Sequence, residues 1–264
     1  MIEQRWLLFL LGWAIAAALQ GMLYLRQRRT RDATLVDAGW AFSLALLAVL
    51  YALLAPGGPE HRVLIALLAS IESLRIAVLV VRRIGSGEDT RYVELRRRWR
   101  ERGREQATFA VFFQAQALVA AFLSLPFLLA AFNDSDGLEP LEWIGAALWL
   151  VAAVGEALAD RQLAAFKARP ESKGKTMREG LWRYSRHPNY FFQWLTWVAY
   201  ALIAFAAPYG WLALGAPALM LYLIVFVTGV PPAEEQALRS RGDDYRRYQR
   251  ETSAFVPLPR RSAG

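Results

Sequence analysis

The stretch TLVDAGWAFSLALLAVLYALLA, residues 34–55, carries one charge, Asp37, near its start and none after it. A helix needs ~20 such residues to cross ~30 Å of hydrocarbon, so this stretch reads as a membrane span. Working outward, similar runs lie at about Trp6–Leu25, Val63–Val81, Phe109–Ala131, Leu141–Leu158, Tyr190–Ala207 and Trp211–Val230. The expectation is an all-α, polytopic integral membrane protein, with seven transmembrane helices in one domain over residues 1–264. A hydrophobic content of 56% agrees, since soluble domains of this length rarely reach it. The first run has no small-residue cleavage site and is followed by Arg26, Arg28, Arg29 and Arg31, so it reads as a retained helix rather than a signal peptide.

Charge orients the spans. Segments 26–33, 82–108, 159–189 and 231–264 hold four, nine, eight and seven basic residues, together 28 of the 31 Lys and Arg. Loop 56–62 has only Arg62, and loops 132–140 and 208–210 have none. Such alternation follows the positive-inside rule with an odd number of spans. It places the N-terminus outside and the C-terminus in the cytoplasm. The net charge of +8 is thereby assigned to cytoplasmic loops and anionic lipid rather than to nucleic acid. With no cysteine and only His61 and His187, disulfides, thiolate metal sites and Fe–S clusters are excluded, and no metal is expected.

Polar groups inside spans cost ~2.5–3.5 kcal/mol each on insertion scales when charged, so each needs a reason. The candidates are Asp37, Glu72, Arg75, Glu156 and Asp160, with Gln20, Gln114, Gln116 and Gln193. Glu72 and Arg75 stand three apart on one helix face and can neutralise each other. The plainer account is structural: an ion pair and interhelical hydrogen bonds. The clustering toward the cytoplasmic ends points instead to a polar cavity open to the cytoplasm.

The most distinctive segment is Gly180-Leu181-Trp182-Arg183-Tyr184-Ser185-Arg186-His187-Pro188-Asn189-Tyr190, leading into the sixth span. Pro188 suits the first turn of a helix. Ser185, Arg186, His187 and Asn189 are then donors at a helix N-terminus, either an anion site or a simple cap. This segment resembles the membrane enzymes of the steroid 5α-reductase superfamily, especially their bacterial DUF1295 members. The resemblance extends to Asp37 with Trp40, Arg75, Arg83, the run Glu88-Asp89-Thr90-Arg91-Tyr92, then Glu156, Asp160, Gln162, Phe166 and Lys167. It closes with Tyr245, Tyr248 and Phe255-Val256-Pro257, the reductase C-terminal-like region spanning about 105–260. One departure is Phe192-Gln193, where the family usually has Gly-Glu.

The resemblance implies an NADPH-dependent reduction of the C=C bond of an apolar enone, such as a 3-oxo-Δ4-steroid or another lipid, entering from the bilayer. Contacts to NADPH would fall on Arg75, Arg83, Asp89, Arg91, Tyr92, Glu156, Asp160, Lys167, Leu181, Trp182, Tyr184, Ser185, Arg186, His187, Asn189, Tyr190, Gln193 and Glu235. Hydride delivery charges the carbonyl oxygen, and a donor aimed there stabilises the enolate. A carboxyl in apolar surroundings stays protonated more readily and can donate. By position in the family pattern Asp37 and Glu72 would take these catalytic roles, Glu72 standing where the family has a tyrosine. Trp40 and Phe113 would line the substrate. A monomer in a bacterial inner membrane, with its site facing the cytoplasm, is expected.

A second family shares part of the signature. Isoprenylcysteine carboxyl methyltransferases and phospholipid N-methyltransferases also carry Arg-His-Pro-x-Tyr, then a Glu-Glu pair and a tyrosine-rich tail. Here Glu234-Glu235, Tyr245 and Tyr248 fit that order, over the C-terminal third, which makes an S-adenosylmethionine-dependent methyltransferase the alternative. A seven-helix receptor or lipid scaffold would leave the intramembrane carboxylates unexplained. Gly85-Ser86-Gly87-Glu88-Asp89-Thr90 lacks the third glycine and the preceding strand of a dinucleotide fingerprint. Phosphates would rest instead on Arg83, Arg91, Lys167, Arg183, Arg186 and Arg250, where guanidinium forks match phosphate.

Overall fold

The computed structural model describes residues 4–81 and 87–260. It is all-α, 79% helical, with no strand among the described residues. The helices are α1 (Arg5–Thr30), α2 (Leu35–Leu54), α3 (Pro59–Val81), α4 (Thr90–Glu101), α5 (Glu105–Leu123), α6 (Leu125–Ala130), α7 (Pro140–Lys167), α8 (Pro188–Phe205), α9 (Gly215–Tyr222) and α10 (Val230–Glu251). Among the described residues six helical stretches are long and apolar enough to cross a membrane: α1, α2, α3, α5 with α6, α7, and the apolar part of the run Gly210–Glu251. The span expected at Tyr190–Ala207 is helical, as α8, but falls outside that set. Asn189, Tyr190, Gln193, Trp194, Trp197 and Tyr200 dilute its apolar character.

Segment 82–108, read as a loop, contains α4. Asp89 starts it, its side chain accepting from the Arg91 N–H, one of the donors that a helix start leaves unpaired. After α9 the chain makes a π turn at Leu223–Val227 before the polar α10 begins at Val230. α10 bends at Gly242, whose φ of 51° and ψ of −123° are not helical.

The chain forms two compact units, one from residues up to Trp143 with Ile203–Ala213, the other from Ile144–Leu202 with the chain from Leu214 on. In the first, α2 packs on α1, α3 and α5. Tyr51 is fully buried, its hydroxyl 3.2 Å from Ser124 Oγ where α5 gives way to α6. One end of this unit is locked by His61, whose Nδ1 lies 2.6 Å from Glu142 Oε1 and whose Nε2 lies 3.0 Å from the Ser135 carbonyl. Near α4 an aromatic core gathers Tyr92, Phe109 and Phe113 with Tyr24 and Trp99 around it. In the second unit indole N–H groups pin elements: Trp149 donates to Tyr200 Oη, Trp182 to the Ala159 carbonyl and Trp194 to the Pro217 carbonyl.

Candidate functional site

Two polar clusters stand out, one in each unit. In the first, α2 opens with Asp37 and α4 with Arg91 and Tyr92. The Tyr92 hydroxyl donates to Asp37 Oδ1 at 2.6 Å, and Arg91 Nη2 donates to Asp37 Oδ2 at 2.8 Å. Arg91 also forks onto Asp89, through Nε at 3.0 Å and Nη2 at 2.9 Å. Burial works to lower the Arg91 guanidinium, but the hydrogen bonds it donates to Asp89 and the charge of Asp37 hold it above its ordinary range. Burial first, then the Asp37 charge, pushes the Tyr92 phenol well up, so it remains a donor. Beside this cluster Arg96, itself buried, bridges Glu88 at 2.7 Å and Glu105 at 2.6 Å, while Glu88 accepts from the Ala33 N–H at 2.8 Å. Thus α4 is tied to the start of α2 by its own N-terminal residues.

Of the residues read from the sequence, Asp37, Asp89, Arg91 and Tyr92 come together here. Glu72 instead holds Arg75, with Nε–Oε2 at 3.1 Å and Nη2–Oε1 at 2.6 Å. Both carboxyls expected to donate therefore accept from a guanidinium, because each has an arginine within reach. Phe113 is buried in the aromatic core, edge-on to Tyr24. Trp40 is half-buried, with its indole N–H unpartnered among the described residues. Arg83 lies outside the described residues.

In the second unit the segment 180–190 is held on both sides. Gly180 takes φ +56°, and its missing Cβ leaves room for the Gln162 amide, whose Oε1 accepts from the Leu181 N–H at 2.9 Å. Ser185 Oγ accepts from the His187 N–H at 3.1 Å and donates to the Phe255 carbonyl at 2.7 Å. Arg186 donates through Nε to Glu234 at 2.6 Å, and through Nη1 to the carbonyls of Thr252 at 2.6 Å and Gln249 at 3.1 Å. His187 Nε2 lies 3.3 Å from the same Glu234 oxygen, and its ring stacks on Tyr190 at 5.4 Å. The Tyr248 hydroxyl donates to the carbonyls of Trp182 and Ser185. The donors read as a place for an anion are thus largely satisfied by α10 and the chain after it.

Glu234 is the hub, and it also takes Gln249 Nε2 at 2.8 Å and the Tyr245 hydroxyl at 3.4 Å. Burial alone would raise its carboxyl; the hydrogen bonds from His187 and Arg186 pull it down to about 2. Glu235, the residue chosen from the sequence, is exposed and among the described residues pairs with Arg239 alone, one turn on, at 2.6 Å. At the start of α8, Asn189 Nδ2 donates to Asp160 Oδ1 at 3.2 Å, joining α8 to α7. Asn189 Oδ1 is buried with no partner among the described residues. Gln193 follows four residues later, on the same face of α8. Glu156 is buried one turn before Asp160, Lys167 is exposed in the last turn of α7, and Tyr184 is exposed.

A family model described as "Protein of unknown function (DUF1295)" matches residues 23–252. The chain belongs to the DUF1295 family. No curated protein and no solved structure matches it. The DUF1295 match takes in both clusters, from Asp37 in α2 to Glu234 in α10. What sequence reasoning missed is Glu234 as the hub and Arg96 as the strap of α4. Both are one charge among many in basic, acidic-studded segments, and no local spacing singles them out.

Proposed function

We propose that this DUF1295 protein is an NADPH-dependent reductase of the C=C bond in an apolar enone, of the steroid 5α-reductase type. It would be a single seven-span domain, N-out and C-in, with its site at the cytoplasmic face of a bacterial inner membrane. The observation that carries the cofactor assignment is the Asp160–Asn189 pair, with the buried, unpartnered Oδ1 of Asn189 beside it. A carboxylate and a carboxamide offer the acceptors and donors that ribose hydroxyls and a nicotinamide amide require, and a buried polar atom without a partner is costly until a ligand meets it. Gln193 and Tyr190 lie within a turn of Asn189 on α8 and extend the same polar edge. Bound NADPH would supply the hydride.

The chain's own residues position the rest. Arg186 and His187 act through Glu234, fixing the start of α8 and hence the aim of Asn189. In the first unit Asp37 and Glu72 would serve the substrate carbonyl through the guanidinium each holds, Arg91 and Arg75, whose positive charge suits an oxygen that gains negative charge. Tyr92 keeps Asp37 in place for that role.

The test is thermal shift of the purified protein with NADPH, NADH and S-adenosylmethionine in parallel. NADPH should stabilise most, and Asn189→Ala should abolish the shift. Stabilisation by S-adenosylmethionine alone would transfer the chain to the methyltransferase alternative. With cofactor binding intact, Asp37→Asn and Glu72→Gln should each slow NADPH oxidation with progesterone by ~10²-fold or more. A reporter fused after residue 264 should be active only in the cytoplasm.

A further inference from the structure

The second unit also contains a cleft of about 550 Å³ between the end of α7, the loop that follows and α10. Its walls carry Lys167, Arg169, Lys173, Lys175 and Arg241, and no carboxylate. We infer that this cleft binds a phosphate-bearing anion.

The loop is built rather than slack. Ser172 Oγ donates to the Arg169 carbonyl at 2.8 Å, and the Lys175 N–H donates to the Ser172 carbonyl at 2.9 Å. Gly174, at φ +78° with open space where a Cβ would be, turns the chain so that two lysines flank a single residue. Of the nearby acids, Asp244 holds Arg178 and the Thr176 N–H, Glu179 holds Arg169, and the exposed Glu171 does not line the cleft. Lys167, Lys173, Lys175 and Arg241 have no carboxylate partner among the described residues. Lys167 can be credited to the C-terminal dipole of α7, which favours a cation. The other cations exceed that need.

Arg241 supplies the second observation. Its guanidinium lies over the Tyr245 ring at 5.1 Å, yet its Nε is buried with no hydrogen-bond partner among the described residues. Basic residues retained only to orient spans need not converge on one concavity, nor bury a donor there. Phosphate is the chemistry that meets several convergent cations and a guanidinium at once. Two sources present it at a membrane face, a soluble organic phosphate and the headgroup of an anionic lipid.

The experiment uses the full chain in phosphatidylcholine nanodiscs, titrated with inorganic pyrophosphate by calorimetry, with Lys173→Ala/Lys175→Ala and Arg241→Gln as variants. The two lysines are exposed loop side chains, so the unliganded melting temperature should not change. Saturable binding that weakens about tenfold in the double variant, and also in Arg241→Gln, supports a soluble phosphate. If pyrophosphate has no effect but phosphatidylglycerol raises the melting temperature of the parent and not of the double variant, the site stands with a lipid headgroup as its source. Binding or stabilisation that is the same in parent and variants, or absent in both arms, overturns it. The variants change Lys173, Lys175 and Arg241 only and leave every residue placed against NADPH intact, so the outcome is separate from that of the reductase assays.

Discussion

Replacing Glu234 with alanine should be among the most destabilising single changes outside the spans. The side chains of Glu234 and Arg186 are 15% and 11% exposed, and they meet at 2.6 Å. Breaking a buried pair by removing one partner costs ~3–5 kcal/mol. Arg186 keeps two carbonyl acceptors, so the lower end applies. The carboxyl itself gives a similar figure, since holding it at about 2 instead of 4.5 corresponds to about 3 kcal/mol. For a protein of this size that is a fall of about 6–12 °C in melting temperature. The neighbouring Glu235 is the internal control. Its pair with Arg239 is 63% and 76% exposed, and Glu235→Ala should cost only ~0.3–0.5 kcal/mol.

The assay is thermal unfolding in detergent, followed by tryptophan fluorescence, as a function of pH. Because the folded carboxyl sits below its unfolded value, its contribution is complete above about 4.5 and disappears as pH falls toward about 2. Glu234→Gln should lack that part of the acid dependence. Equal melting temperatures for Glu234→Ala and Glu235→Ala would refute the hub.

Tyr92→Phe removes the hydroxyl that donates to Asp37 and should cost ~1–2 kcal/mol, with a smaller fall in melting temperature than Asp37→Ala, which also strands Arg91. His61→Ala should destabilise by ~3–5 kcal/mol by leaving Glu142 buried, and His61→Leu with Glu142→Leu should recover much of the loss in the same melting assay. Asp160→Asn should weaken NADPH in the thermal-shift titration without lowering the unliganded melting temperature as Glu234→Ala does.

Six of the seven expected spans were legible because apolar runs of sufficient length need no long-range information, whereas the polar-studded run at 190–207 is helical without reaching that apolarity. Glu72 with Arg75 was legible too, since three residues along one helix face bring the side chains together whatever the fold does. Asp37, Asp89, Arg91 and Tyr92 were each singled out by the family resemblance, but in separate roles; that they join in one cluster was not legible, because nothing in the sequence said that α4 folds back over the start of α2. The reading failed most at 185–187. Donors at the start of a helix look alike whether they await an anion or are already met by a carboxylate arriving from residue 234. Choosing Glu234 over Glu235 was equally beyond local periodicity, since the bend at Gly242 breaks the phase between Glu234 and the tyrosines it faces.

The strand-like contact of Ser185 with Ser253, together with the bonds from Arg186 to Thr252 and from Leu258 to Tyr184, has a consequence for biosynthesis. The apolar stretches can enter the bilayer one after another as they leave the ribosome. The start of α8 cannot reach its finished form until residues 252–258 have also emerged. In the interval Arg186 and the carbonyls of Trp182 and Ser185 lack those partners. A chain ending after residue 251 would therefore be protease-sensitive at 180–187, and restoring residues 252–258 would close it.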